Sequence, residues 1–158
     1  MSTILNQAVG ENWTAIHGDT GHAITELPSE SVGFSVYSPP FVDLFVYSTS
    51  AADLGNCAND AQFYEQYRHI IREIHRVTKP GRISAVHCTD LPTRKFKDGF
   101  IGIKAFSDAI REAHEAEGWI FHCRVTVWRD PVVEMQRTKA LGLLFKQLCK
   151  DSCMSRVG

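Results

Sequence analysis

The feature that most constrains this chain is the hexapeptide Val32-Gly33-Phe34-Ser35-Val36-Tyr37, followed at once by Ser38-Pro39-Pro40-Phe41. The hexapeptide is short, rich in β-branched and aromatic residues and preceded by Ser29-Glu30-Ser31, the pattern of a buried strand. Two consecutive prolines lack backbone N–H groups and fix φ, so a central strand cannot run through them. Ser38 to Phe41 is therefore a stiff corner at the C-terminal end of a strand.

The next periodic segment sets the fold class. Phe63, Tyr64, Tyr67, Ile70, Ile71, Ile74 and Val77 recur at spacings of three and four, while Glu65, Arg68, Arg72, Glu73 and Arg76 point elsewhere, which predicts an amphipathic helix. Lys79-Pro80-Gly81 stops it. Ile83 to Cys88 reads as a second buried strand and Asp90 to Lys97 as a polar loop. Phe106 to Ala116 is a second helix, ended by Gly118, and Trp119 to Trp128 a third strand. Earlier, Ala15 to Leu27 suggests a strand edge and then a helical turn from His22 to Leu27. Glu134 to Lys150 is compatible with helix. Strands alternating with helices predict an α/β layer with a mostly parallel sheet. Ligands of such sheets sit at the C-terminal ends of strands, where both Ser38 to Phe41 and His87 to Asp90 fall.

Composition narrows the class further. At 158 residues and 44% hydrophobic, the chain fits one globular domain, 1–158. A net charge of -1 gives no global basic signal, so any nucleic-acid contact must be local. Arg94, Lys95, Lys97, Arg137, Lys139, Lys146 and Lys150 are the candidates for phosphate contacts, or a solvated face. Met1 to Val9 lacks the pattern of a signal peptide, and no apolar run approaches the roughly 18 to 20 residues needed to cross a bilayer. The expectation is a soluble cytoplasmic protein without membrane contact. Cys57, Cys88, Cys123, Cys149 and Cys153 read as reduced thiols. The pairs His87-Cys88 and His122-Cys123 offer at most one ligand each to a common site, because strand neighbours face opposite sides, and no metal is expected.

Ser38-Pro39-Pro40-Phe41 after an apolar strand resembles the catalytic motif of DNA amino-methyltransferases, which modify adenine-N6 or cytosine-N4. Asp, Asn or Ser stands first in that motif, then Pro-Pro, then an aromatic. Two flanks extend the resemblance. His17-Gly18-Asp19, Leu27-Pro28 and Ser31-Val32 are similar to the family's lead-in. Ile74-His75-Arg76-Val77-Thr78-Lys79-Pro80-Gly81 is similar to its Arg-Val-Leu-Lys-Pro-Gly-Gly landmark, with Thr78 for Leu and Arg82 for the second Gly. The likeness covers about Ala15 to Leu91. Only 37 residues precede Ser38, which leaves no room for a cofactor loop ahead of it. The resemblance is thus to the circularly permuted, beta-type group and not to the glutamine methyltransferases of release factors.

The resemblance implies a partial three-layer Rossmann-like methyltransferase fold and S-adenosylmethionine as cofactor. It also implies double-stranded DNA as partner, with the target base flipped out. An exocyclic amine is a poor nucleophile because its lone pair is delocalised into the ring. The Ser38 hydroxyl and Pro39 carbonyl would draw its hydrogens out of plane, Pro40 would stiffen the corner and Phe41 would stack on the base. Asp19 and Thr20 would serve the adenosyl end of the cofactor, or Asp19 closes a local turn. His87, Cys88, Thr89 and Asp90 could line the pocket or be structural.

No Gly-x-Gly occurs, and Gly99-Phe100-Ile101-Gly102 lacks the spacing of a cofactor turn. The chain therefore reads as the catalytic-motif half of an enzyme of restriction-modification or phage type, a truncated product or fragment. The alternative is an inactive remnant that retains DNA or protein contacts. A third reading is a small-molecule or RNA amino-methyltransferase. Adenine and cytosine both remain open, and an exposed strand edge in half a sheet would invite a homodimer.

Overall fold

The structure, a computed structural model, describes residues 4–42, 46, 48–49, 53–93, 95–100 and 102–130. It opens with an antiparallel hairpin of β1 (Ile4–Val9) and β2 (Thr14–Gly18). The hairpin turns where Gly10 N–H donates to the Trp13 carbonyl at 2.9 Å. A side chain at Gly10 would collide with the Trp13 indole, 2.3 Å from where a Cβ would stand. A single helical turn, α1 (Thr20–Ala23), and a 3-10 turn (Ile24–Glu26) then lead to β3 (Val32–Tyr37).

The long helix α2 (Asp60–Val77) follows, with Asn59 Oδ1 accepting from Gln62 N–H at 2.9 Å to cap it. Phe63, Tyr67, Ile71, Ile74 and Val77 are buried, the stripe that the three-and-four spacing predicts. Burial of each such side chain contributes about 1.5–3 kcal/mol. The Thr78 hydroxyl donates back to the Ile74 carbonyl at 2.6 Å, a second bond to an acceptor that the Thr78 N–H also reaches, which fixes the helix end.

Strand β4 (Thr78–Val86) starts where α2 ends and pairs parallel with β3. Parallel pairing requires a long crossover, and α2 lies within it. The strand begins earlier than the expected Ile83, because Lys79-Pro80-Gly81 does not end regular structure. Val32 pairs with Thr78 but Phe34 with Ile83, so Pro80 and Gly81 (φ 72°) lie in a bulge. Bulges are where a strand tolerates proline and a glycine of positive φ.

By its packing the chain falls into two compact units. One runs to Cys88 and adds Ala109–Ile120; the other holds Thr89–Asp108 and the residues from Phe121 on. In the second, β5 (Leu91–Pro92) and β6 (Ile103–Lys104) form a short antiparallel pair around α3 (Lys95–Asp98). Helix α4 (Phe106–Ala116) begins there and continues into the first unit, where Ile110, Ala113 and His114 are buried. It ends at Gly118 (φ 92°).

Two expectations need correction. The expected mostly parallel sheet is, among the described residues, three separate pairs of strands, of which only β3 and β4 run parallel. Trp119 to Trp128 is not a strand either. Ile120, Val125 and Trp128 are exposed and no ladder forms. Alternating apolar residues supply strand propensity, but a strand exists only where another backbone accepts its hydrogen bonds. The described elements are mixed α/β, with helices alternating among these small sheets. The helix expected from Glu134 to Lys150 lies outside the described residues. No described helix is long and apolar enough to cross a membrane.

Candidate functional site

The β3–β4 ladder runs one step past the strands, with His87 N–H donating to the Tyr37 carbonyl at 2.9 Å. Ser38 comes next. Its hydroxyl donates to the His87 carbonyl at 2.9 Å, so the corner is sewn to the neighbouring strand end by its own side chain. A carbonyl can only accept, so the hydroxyl hydrogen is committed to it. Both remaining Ser38 interactions available to Oγ are as an acceptor. Ser38 is exposed, Pro39 buried, and Pro40 and Phe41 half-buried. The prolines wedge the corner into the protein while the hydroxyl stays at the surface.

Val42, immediately after, is buried and carries φ 50°. That is the left-handed region, where a β-branched residue is a steric outlier costing about 1–3 kcal/mol. Such a conformation persists only where its surroundings enforce it, so the backbone beside Phe41 is sharply bent and held.

The lead-in and the landmark after α2 meet in space through Arg76. Its guanidinium donates to the carbonyls of Leu27 (2.9 Å) and Ile24 (3.1 Å), to the Ser29 hydroxyl (3.2 Å) and to Glu73 (2.8 Å). Glu30 N–H returns a bond to the Arg76 carbonyl at 3.0 Å. Two motifs about fifty residues apart are thereby one structural element, which positions the start of β3 against the end of α2.

Beneath the corner lies a buried polar chain. Tyr37 Oη stands 3.0 Å from Tyr67 Oη and 2.9 Å from His114 Nε2, and His114 Nδ1 stands 2.7 Å from the Ile110 carbonyl. Burial raises the Tyr37 phenol to about 12, partly offset by its bond to Tyr67. Burial also pushes the Tyr67 phenol up, and it lowers His114 against the pull of the Ile110 carbonyl. All three groups are thus held neutral at pH 7. No pattern singled out this cluster, since its members come from β3, α2 and α4.

Asp19 is the N-cap of α1, its Oδ1 accepting from Gly21 N–H (2.7 Å) and His22 N–H (3.4 Å). The local turn anticipated for it is present, and exposed Thr20 opens the helical turn. Asp90 likewise accepts from Ser107 N–H (3.0 Å) and Ser107 Oγ (2.6 Å), which anchors the first turn of α4. His87 contributes its backbone to the corner; Cys88 is a half-buried thiol outside any disulfide and Thr89 is exposed. Lys95 and Lys97 are exposed on α3, whereas Arg94, Arg137, Lys139, Lys146 and Lys150 lie outside the described residues. The described residues form no cluster of three metal-ligating side chains.

Neither protein-family models nor curated proteins yield a match to the chain. Among solved structures it is similar to TTHA0409 of Thermus thermophilus, a proposed DNA modification methylase. The identity is 18% and the TM-score 0.47 over 76% of this chain. The form of that protein complexed with S-adenosyl-L-methionine gives 18% and 0.49, and the selenomethionine form 16% and 0.48. The match spans 56% to 59% of the length of those chains. Likeness at this level says nothing of activity.

Proposed function

We propose that this chain carries the amine-activating corner of a DNA amino-methyltransferase of the permuted, beta-type group. The observation that carries the reading is the Ser38 hydroxyl, exposed at a strand end with its hydrogen spent on the His87 carbonyl. A hydroxyl in that state offers lone pairs and no competing donor toward solvent, which is what an amine needs from its partner. The Pro39 carbonyl is the second acceptor we assign.

Two acceptors on one side of an exocyclic N–H₂ bend its hydrogens from the ring plane and return lone-pair density to nitrogen. This is electrostatic catalysis by preorganised groups, worth about 10²–10³ in rate for one such hydrogen bond. A base inside a duplex cannot reach the corner. The target is flipped, and the exposed part of Phe41 offsets some of the lost stacking, a few kcal/mol. Adenine and cytosine both present the required amine.

The methyl donor we propose is S-adenosylmethionine, which supplies an electrophilic methyl group. The described residues do not form a cradle for it: Asp19 and Thr20 contribute one turn, and Asp19 Oδ1 is engaged in its cap. A carboxylate has about four lone-pair sites, so Asp19 retains capacity to accept from ribose hydroxyls. That assignment covers one contact, not a site.

The test is transfer of labelled methyl from S-adenosylmethionine into duplex DNA by the full chain, alone and with Ser38→Ala. Transfer is expected to fall about 10²–10³-fold in the variant. Equal transfer by both would remove Ser38 from the chemistry. Where no transfer is measured, duplexes carrying 2-aminopurine report flipping by increased fluorescence, which Phe41→Ala should diminish. The inactive remnant with retained contacts is the second reading; it predicts DNA binding with neither signal.

A further inference from the structure

We propose that Tyr37, Tyr67 and His114 are positioning residues that hold the Ser38–Pro39 acceptor pair in place through a one-directional hydrogen-bond chain that passes through the His114 imidazole and ends on the Ile110 carbonyl. This rests on the reading of Ser38 as an acceptor and adds to it the device that sets its geometry.

The direction of the chain follows from the geometry. His114 Nδ1 stands 2.7 Å from the Ile110 carbonyl, which can only accept, so Nδ1 carries the proton. In a neutral ring Nε2 is then an acceptor, and the Tyr37 hydroxyl at 2.9 Å must donate to it. With its hydrogen committed, Tyr37 Oη can only accept from Tyr67 Oη at 3.0 Å. The order is Tyr67 to Tyr37 to His114 to the Ile110 carbonyl, and each member has one role.

Protonation of His114 breaks that order. Nε2 becomes a donor to Tyr37, the Tyr37 hydrogen loses its acceptor there, and one of the two phenol hydrogens is orphaned beside a Tyr67 side chain only 1% exposed. An orphaned buried donor is costly, and so is the buried charge. The titratable groups against His114 are Tyr37 from β3 and Tyr67 from α2, and Cys88, just past β4, acts on both phenols. His75 of α2 lies beyond the Trp119 ring. On its own helix Arg111 pairs with Glu115. Among the described residues, none of these groups is a carboxylate that would support an imidazolium.

The link to the site is covalent and short. Tyr37 precedes Ser38, and its carbonyl takes the His87 N–H while Ser38 Oγ binds the His87 carbonyl. A shift of the Tyr37 side chain therefore moves the residue whose hydroxyl is the acceptor. The hydrophobic burial of α2 would hold the fold without this chain of polar groups, but it would not fix the angle at which β3 ends.

The test uses the full chain in solution NMR. The His114 ring nitrogens should show an Nδ1–H tautomer at pH 7. Tyr37→Phe and His114→Gln should each displace the Ser38 and His87 amide signals beyond the change in an Arg72→Ala control. Acidification of the unmodified protein should reproduce that displacement, and His114→Gln should abolish its pH dependence. If His114→Gln does not fold, Tyr67→Phe removes one hydroxyl at constant volume and should produce the same displacement in smaller measure. Signals of Ser38 that ignore Tyr37→Phe, or an Nε2–H tautomer, overturn the proposal. Displaced Ser38 signals with no 2-aminopurine response in any protein leave the positioning chain standing and remove the base-binding reading instead.

Discussion

The two faces of the β3–β4 pair are built to different ends. On one, Tyr37 joins Tyr67 and His114, and Ser35 Oγ donates to Ser84 Oγ at 2.8 Å. On the other, Phe34, Val36 and Ile83 remain 60%, 68% and 53% exposed. Phe34 and Ile83 are register partners, so the apolar groups line up across the strands. Parallel sheets ordinarily bury both faces. The finished face carries polar groups that require fixed partners, whereas the open face carries only groups that lower their free energy by being covered. Specificity in this pair therefore resides on the helix side, and the other side is defined by shape and greasiness alone.

Substitutions can break that contrast. The largest effect is expected on the helix side, where Phe63→Ala empties a fully buried position and should cost about 3–5 kcal/mol in urea unfolding. A cost near that of a surface change would mean that α2 does not hold the finished face. Arg76→Ala should come next at about 2–3 kcal/mol, because four acceptors lose a charged donor. Amide exchange should then quicken from Ile24 to Glu30 before it does in α2. Uniform quickening would show that the two motifs are not one element.

The third effect is pH dependence. Burial depresses the folded-state titration of His114 below its ordinary 6.5, so the unfolded chain binds the proton first. Stability is complete above about pH 6.5 and is lost as pH falls from there toward the folded-state value. His114→Gln should flatten that segment of a stability-against-pH curve, and an unchanged slope would place the acid sensitivity elsewhere. At the other end, the raised Tyr37 and Tyr67 phenols should cost stability above about pH 10. The smallest effect belongs to the open face, where Phe34→Ser should alter stability by about 0.5 kcal/mol or less. A large loss would show that the face is covered in solution.

Elements that bury a stripe were legible as patterns. Helices α2 and α4 match their predicted spans because burial imposes the three-and-four spacing, and the prolines mark the end of β3. The β1–β2 hairpin was not foreseen as a pair, since almost all of its residues are exposed and no alternation is imposed. Trp119 to Trp128 is the reverse case, a strand-like pattern where no strand forms among the described residues. At the site, Ser38 to Phe41 stood out because proline restricts geometry wherever it occurs. The Tyr37, Tyr67 and His114 chain was invisible because hydrogen-bond partners 30 and 77 residues apart leave no periodic trace.

Val42 gives the corner one more property. Glycine or asparagine would relax the backbone there, and the chain instead accepts torsional discomfort in exchange for an isopropyl group under the bend. A replacement at this position can thus improve thermal endurance while slackening the ring before it, so durability and function pull residue 42 in opposite directions.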